Sequence, residues 1–164
     1  MPSKILVSDT NIWIDLHHGK LLDVVFDLPY QFVTSDFAYF ELHKPPGQAL
    51  TERGLAVKGF SQEQFGILSE LRRELQNPSL ADVSCYLMAK ENGWVLITGD
   101  KKLRVAGQKQ KLEVHGVLWV LDELFRFDLV TGPKLATALQ TMLDRGARLP
   151  DAECKQRIRK WSSR

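Results

Sequence analysis

Four carboxylates stand where chemistry could be done: Asp9, Glu41, Asp82 and Asp100. Asp9 comes just after the unbroken apolar run Ile5-Leu6-Val7, and Asp100 comes just after Trp94–Thr98, WVLIT. Short continuous apolar runs are the pattern of strands covered on both faces, so both acids fall at strand ends. Asp82 lies in the first turn of a helix that opens at Pro78-Ser79 and closes at Gly93. Glu41 follows Phe37 and Phe40 on a helix that starts at Thr34-Ser35 and stops before Pro45-Pro46, which leans it toward the apolar face. A carboxylate on a buried face is costly unless a cation neutralises it. Four acids without a matching set of Lys or Arg repel one another, and a hard divalent cation, Mg2+ or Mn2+, relieves that repulsion with oxygen ligands. Each acid also has an ordinary use. Asp9 and Asn11 fit a helix start, Ser79 and Asp82 the two ends of a capping box, Asp100 a turn, and Glu41 a helix edge.

The elements that must position these acids are readable in outline. Thr10–Leu16 follows Asp9 as a helix, and Gln62–Gln76 repeats Phe65, Leu68, Leu71 and Leu75 at helical intervals. Val117–Val120 reads as a third strand with a short helix through Phe127 after it, and Thr131-Gly132-Pro133 starts a last amphipathic helix ending at Gly146. Strands alternating with helices predict an α/β fold, a three-layer α/β/α arrangement around a mostly parallel central sheet. Ligands of such sheets bind beyond the carboxyl ends of the strands, where Asp9 and Asp100 fall.

The chain of 164 residues suits a single domain spanning 1–164, with a core over about 1–125 and a C-terminal helix and basic tail over 126–164. The net charge is only +2, but residues 101–111 hold five Lys or Arg and no acid, and residues 145–164 hold seven against two. Local patches of this kind suit a phosphate-bearing partner. Cys85 and Cys154 have neither disulfide-framework nor zinc-site spacing. A charged N-terminus argues against a secretory leader, and no apolar run approaches the ~20 residues that cross a bilayer. The expectation is a cytoplasmic protein with no membrane association. His17, His18, His43 and His115 lack metal spacing and read as structural or exposed, and Trp13, Trp94 and Trp119 read as core.

The segments SDTNIW and SLADVSCYLMAKENGWVLITGD, with an isolated Glu between them, resemble a PIN domain over roughly residues 1–125. Asp9, Asn11, Glu41, Asp82 and Asp100 match the family's motifs in order, with Ser79 and Thr98 in supporting places. The resemblance implies a metal-dependent ribonuclease acting on single-stranded or structured RNA. Many small members are toxins of toxin–antitoxin pairs of the VapC type, so an antitoxin protein and a homo-oligomer are expected partners besides RNA. This chain runs longer than the commonest small toxins, and its extension with RLPDAE resembles a less characterised PIN branch.

On this reading Asp9 and Asp100 are central ligands of one or two Mg2+ or Mn2+ ions, Asp82 a further ligand, and Glu41 a ligand of a second ion or the group that orients water. Asn11, Ser79 and Thr98 support them. Lys101, Lys102 and Arg104, directly after Asp100, are placed to hold RNA phosphates, and Arg157, Arg159 and Lys160 make a weaker case. Two rivals stand beside the nuclease: a PIN-like fold kept as a binding module for RNA or protein, and a phosphatase of the haloacid dehalogenase type. The latter's second Asp is Asn11 here. A dinucleotide-binding fold fails because SDTNIW stands where GxGxxG belongs.

Overall fold

The computed structural model describes residues 4–163; the first three residues and Arg164, which entered the expectations about a leader and the basic tail, lie outside them. In chain order the elements are β1 (Lys4–Ser8), α1 (Thr10–His18), α2 (Leu22–Val25), β2 (Tyr30–Ser35), α3 (Asp36–Glu41), α4 (Gly47–Thr51), β3 (Ala56–Lys58), α5 (Gln62–Glu74), α6 (Leu80–Asn92), β4 (Val95–Ile97), α7 (Lys101–Lys109), β5 (Val114–His115), α8 (Val117–Arg126), α9 (Gly132–Asp144) and α10 (Asp151–Ser162). The sheet runs β3-β2-β1-β4-β5, and every neighbouring pair is parallel.

Alternation along the strands divides the interior into two cores. Leu6, Phe32, Val95 and Ile97 face one side, packing with Trp13, Leu16, Leu121, Leu139 and Trp161. Val7, Val33 and Leu96 face the other, packing with Leu68, Val83, Leu87 and Leu103. Helices thus cover both faces, the three-layer α/β arrangement expected. The first layer holds α1, α2, α8, α9 and α10; the second holds α3, α5, α6 and α7.

The C-terminal third differs from the sequence reading. Val117–Val120 is the start of α8, not a strand. An apolar run this short does not distinguish a strand from a buried helix. The burial of Val117, Leu118, Val120, Leu121 and Leu124, with Trp119 and Asp122 less covered, follows the helical interval instead. The third strand on this side is the two-residue β5 just before it. The basic tail is also ordered: it forms α10, which buries Cys154 and Trp161. Gly132 explains how closely α10 docks, because a Cβ added there would stand 2.5 Å from the Trp161 carbonyl oxygen. Among the described residues no helix is long and apolar enough to cross a membrane.

Because Trp161 is fully buried at the end of α10, Trp161→Ala should cost about 3–5 kcal/mol in a urea unfolding curve. A loss below about 1 kcal/mol would mean that α10 contributes little to the fold.

Candidate active site

Strand β1 has β2 on one side and β4 on the other, so the sheet changes direction between β1 and β4. Crevices form beyond the carboxyl ends of strands at such a switch point. Ser8 pairs with Ile97 in register, which sets Asp9 and Thr98 side by side beyond the two strand ends. Asp9 is 1% exposed. Its Oδ1 accepts the Ile12 N–H at 3.2 Å and caps α1, while its Oδ2 accepts the Thr98 hydroxyl at 2.6 Å. The same hydroxyl accepts the Asp100 N–H at 3.1 Å, and Asp100 Oδ1 caps α7 by accepting the Leu103 N–H at 3.0 Å. One threonine therefore fixes both strand-end aspartates.

Asp82 comes from the first turn of α6. The Ser79 hydroxyl accepts its N–H at 3.0 Å, but the reciprocal half of a capping box, Asp82 to the Ser79 backbone, is not formed. Burial pushes Asp9 up to about 7, helped by the Asp82 charge; Thr98 and the Ile12 and Gly99 N–H groups pull the other way. Burial pushes Asp82 up to about 6, and the Asp100 and Glu41 charges add to this against the Ser79 hydroxyl. The four acids thus act on one another electrostatically, and no Lys or Arg offsets the shift of Asp9 or Asp82.

Glu41 is exposed at the end of α3, and Phe40 beside it is 76% exposed, so the expected lean toward an apolar face is wrong. Helix α3 has only six residues and buries Ala38 alone, too short for the stripe that Phe37 and Phe40 suggested. Asn11 is exposed and makes no hydrogen bond to Asp9 among the described residues; Thr98 does that positioning. Nor do the acids form a finished cage. Among the described residues no group of three or more His, Cys, Asp or Glu side chains is assembled to hold a metal ion. Asp9 and Asp100 each turn one oxygen onto a backbone N–H group. The donor chemistry nevertheless fits a hard divalent cation, being oxygen throughout. The buried hydroxyls of Ser8 and Thr10, on either side of Asp9, lack hydrogen-bond partners and add unmet polar capacity.

A cleft of about 850 Å³ opens beside these acids, lined by Asp82, Asp100, Lys101 and Arg104. Lys102 does not line this cleft but borders a separate cavity of about 620 Å³ with Leu71 and Tyr86, which Lys101 also reaches. His115, Trp119 and the exposed Arg148 also line the cleft, and the sequence marked none of them as part of a site. Trp119 and Trp94 are only half-buried rather than core. Asp15 also lines the cleft, and burial pushes it up to about 6. Its place one helical turn after Asn11 was the signal that could have found it. Arg157 is bound to Asp122 through two contacts of 2.9 and 2.7 Å and is not a spare cation.

An unfolded aspartate ionises near 3.8, so up to about pH 7 the folded chain keeps a proton on Asp9 that the unfolded chain has released. The stability this gives is complete below the unfolded pKa and is lost as pH rises through the folded one; Asp82 acts in the same direction. Metal-free protein should therefore melt lower at about pH 8 than at about pH 5, and Asp9→Asn should flatten much of that slope. An unchanged slope in thermal melts of the variant would remove Asp9 as its source.

A family model, DUF3368, a PIN domain, matches residues 5–163. The search of curated proteins gives no significant match. Among solved structures, the chain is similar to a PilT N-terminus domain protein from the hyperthermophilic archaeon Sulfolobus solfataricus P2, at 16% identity and a TM-score of 0.49, covering 72% of this chain and 91% of that one. PIN domains are commonly nucleases, and those nucleases typically use divalent metals. The family match spans nearly the whole chain, α8 to α10 included, and the chain belongs to this PIN-domain family.

Proposed function

We propose that the protein is a metal-dependent endoribonuclease that hydrolyses phosphodiester bonds of RNA. The observation that carries this reading is Asp9: fully buried, fixed by Thr98, and facing the charge of Asp82, which in turn feels Asp100 and Glu41, with no Lys or Arg offsetting either shift. Asp9, Asp82 and Asp100 would hold Mg2+ or Mn2+, with Glu41 at the outer edge for a second ion or for the attacking water. When bound, the ion supplies a water of lowered pKa and draws charge from a phosphoryl oxygen.

The remaining work falls to the chain's own groups. Thr98 holds Asp9 Oδ2 and the Asp100 backbone in one arrangement, so the carboxylates need little reorganisation. Asp82, from the first turn of α6, would bring a third carboxylate to the ion beside the two strand-end aspartates. Lys101, Arg104 and Arg148, which all line the cleft, hold the phosphates that flank the scissile one.

A labelled single-stranded RNA should be cut in millimolar Mn2+ and remain whole in EDTA. Asp9→Asn and Asp100→Asn should each lower the rate at saturating metal by about a hundredfold or more while the fold survives. Near-normal cleavage by either variant would overturn the ligand roles. Binding of RNA without any cleavage would leave the non-catalytic module.

Binding in Ca2+ separates the basic residues. Lys101→Ala with Arg104→Ala should weaken RNA binding and reduce the salt slope by about 1.4 for two contacts on a single strand, whereas Lys102→Ala should leave both nearly unchanged. An equal effect of Lys102→Ala would return it to the RNA-contacting set.

A further inference from the structure

The cleft is bordered by the outer two rings, His115 and Trp119, of a stacked aromatic ladder that the hydrolytic chemistry does not use. The His115 ring lies on Trp119 at 4.3 Å between centroids with 5° between planes, and Trp119 lies on Tyr30 at 5.7 Å and 29°. Both ends are anchored. The Tyr30 hydroxyl donates to the Glu123 carboxylate, which pairs with Arg126 at 2.8 Å, and the edge of Phe127 closes on Tyr30. At the other end, His115 Nε2 contacts Glu113 Oε2 at 2.9 Å, and Glu113 also binds Lys4. The His115 side chain keeps 28% of its surface exposed, and both His115 and Trp119 line the cleft shared with Asp82 and Asp100.

The ladder's position relative to the acids is set by the sheet. His115 ends β5, next to β4, and its carbonyl accepts the N–H of Thr98, the residue that fixes Asp9, at 2.9 Å. Arg104 bridges the two regions: a Cβ on Gly116 would lie 3.7 Å from its Nη1, so the guanidinium passes over the backbone between His115 and the phosphate side. Core packing explains Tyr30 and the inner face of Trp119. It does not explain an imidazole stacked flat as the outermost ring, oriented by a carboxylate and open to a cleft.

We propose that His115, backed by Trp119, is a stacking subsite for one nucleobase of the RNA whose phosphates lie along Arg104. The inference rests on the nuclease reading and deepens it by assigning a contact to a base. Every base has a flat face, so the subsite selects an unpaired base rather than a particular sequence. It makes the enzyme prefer single strands to duplexes, in which the base faces are already covered.

The test measures binding in Ca2+ of a short oligoadenylate and of an RNA duplex of equal length. One stacked base contributes about 1–3 kcal/mol, so His115→Ala should bind oligoadenylate about 5- to 150-fold more weakly, with duplex binding changed less than twofold. His115→Phe, which keeps a flat ring and removes the titratable group, should retain most of the single-strand affinity. Thermal melts of both variants check that the fold is intact. Oligoadenylate binding by His115→Ala equal to wild type would overturn the subsite, as would an equal loss for duplex or a failure of His115→Phe to restore binding. Wild-type protein that binds neither RNA would overturn the nuclease proposal itself, a result distinct from all of these.

Discussion

A single carboxylate, Asp9, sits almost wholly out of water with no cation beside it. Burying an acid this way is costly, and the cost is tolerated only if its hydrogen bonds are made and its protonation adjusts. Much of the surrounding structure answers those two needs. The N-terminus of α1 gives it the Ile12 N–H, and Thr98 comes to it from the end of β4. For Thr98 to arrive there, β1 and β4 must be parallel neighbours with their ends level, which the Ser8–Ile97 register provides. Two separate apolar cores, one on each face of the sheet, hold that register. Slipping β4 by one residue would exchange its two faces and carry Thr98 away from Asp9. The fold's stability and the site's geometry thus depend on the same pairing.

This part of the molecule was legible in the sequence because parallel strands buried on both faces leave an unbroken apolar signature. Ile5–Val7 and Trp94–Thr98 carry it, and it puts the acids after them at one edge of a sheet. Ser79 and Asp82 were legible as a helix start from local rules alone. The peripheral strands were not. All three residues of β3 are exposed, and β5 is two residues long, so neither leaves a periodic trace. Glu41 was misjudged because two neighbouring phenylalanines suggested an apolar face that a six-residue helix does not build. His115, Trp119 and Arg148 enter the cleft only through packing of the C-terminal third against the sheet, and no local pattern in the sequence encodes a meeting of that kind. Helix α10 did carry a readable trace, Cys154, Ile158 and Trp161 at helical spacing. The surrounding charge concealed it.

The C-terminal helices have a consequence for how the cleft treats charge. Helix α8 faces the first core with Leu121 and Leu124 and presents Trp119 and Asp122 to the cleft. Asp122 would repel a nucleic-acid phosphate there, but α10 delivers Arg157 against it through two short contacts. Pairing of this quality neutralises Asp122 itself. Lys101, Arg104 and Arg148 line the same cleft outside any ion pair among the described residues. Asp15, Asp82, Asp100 and Glu153 are the acids that line the cleft outside any ion pair among the described residues, and in the nuclease reading a strand would meet them beside these three cations. In the nuclease reading a polyanion would lie along the cations and meet repulsion where Asp82 and Asp100 gather beside Asp9. Only an intervening cation reverses that repulsion, and the arrangement thereby confines the phosphate's closest approach to the point where metal chemistry would act. The extension beyond the first 125 residues thus shapes the field around the site as well as its walls.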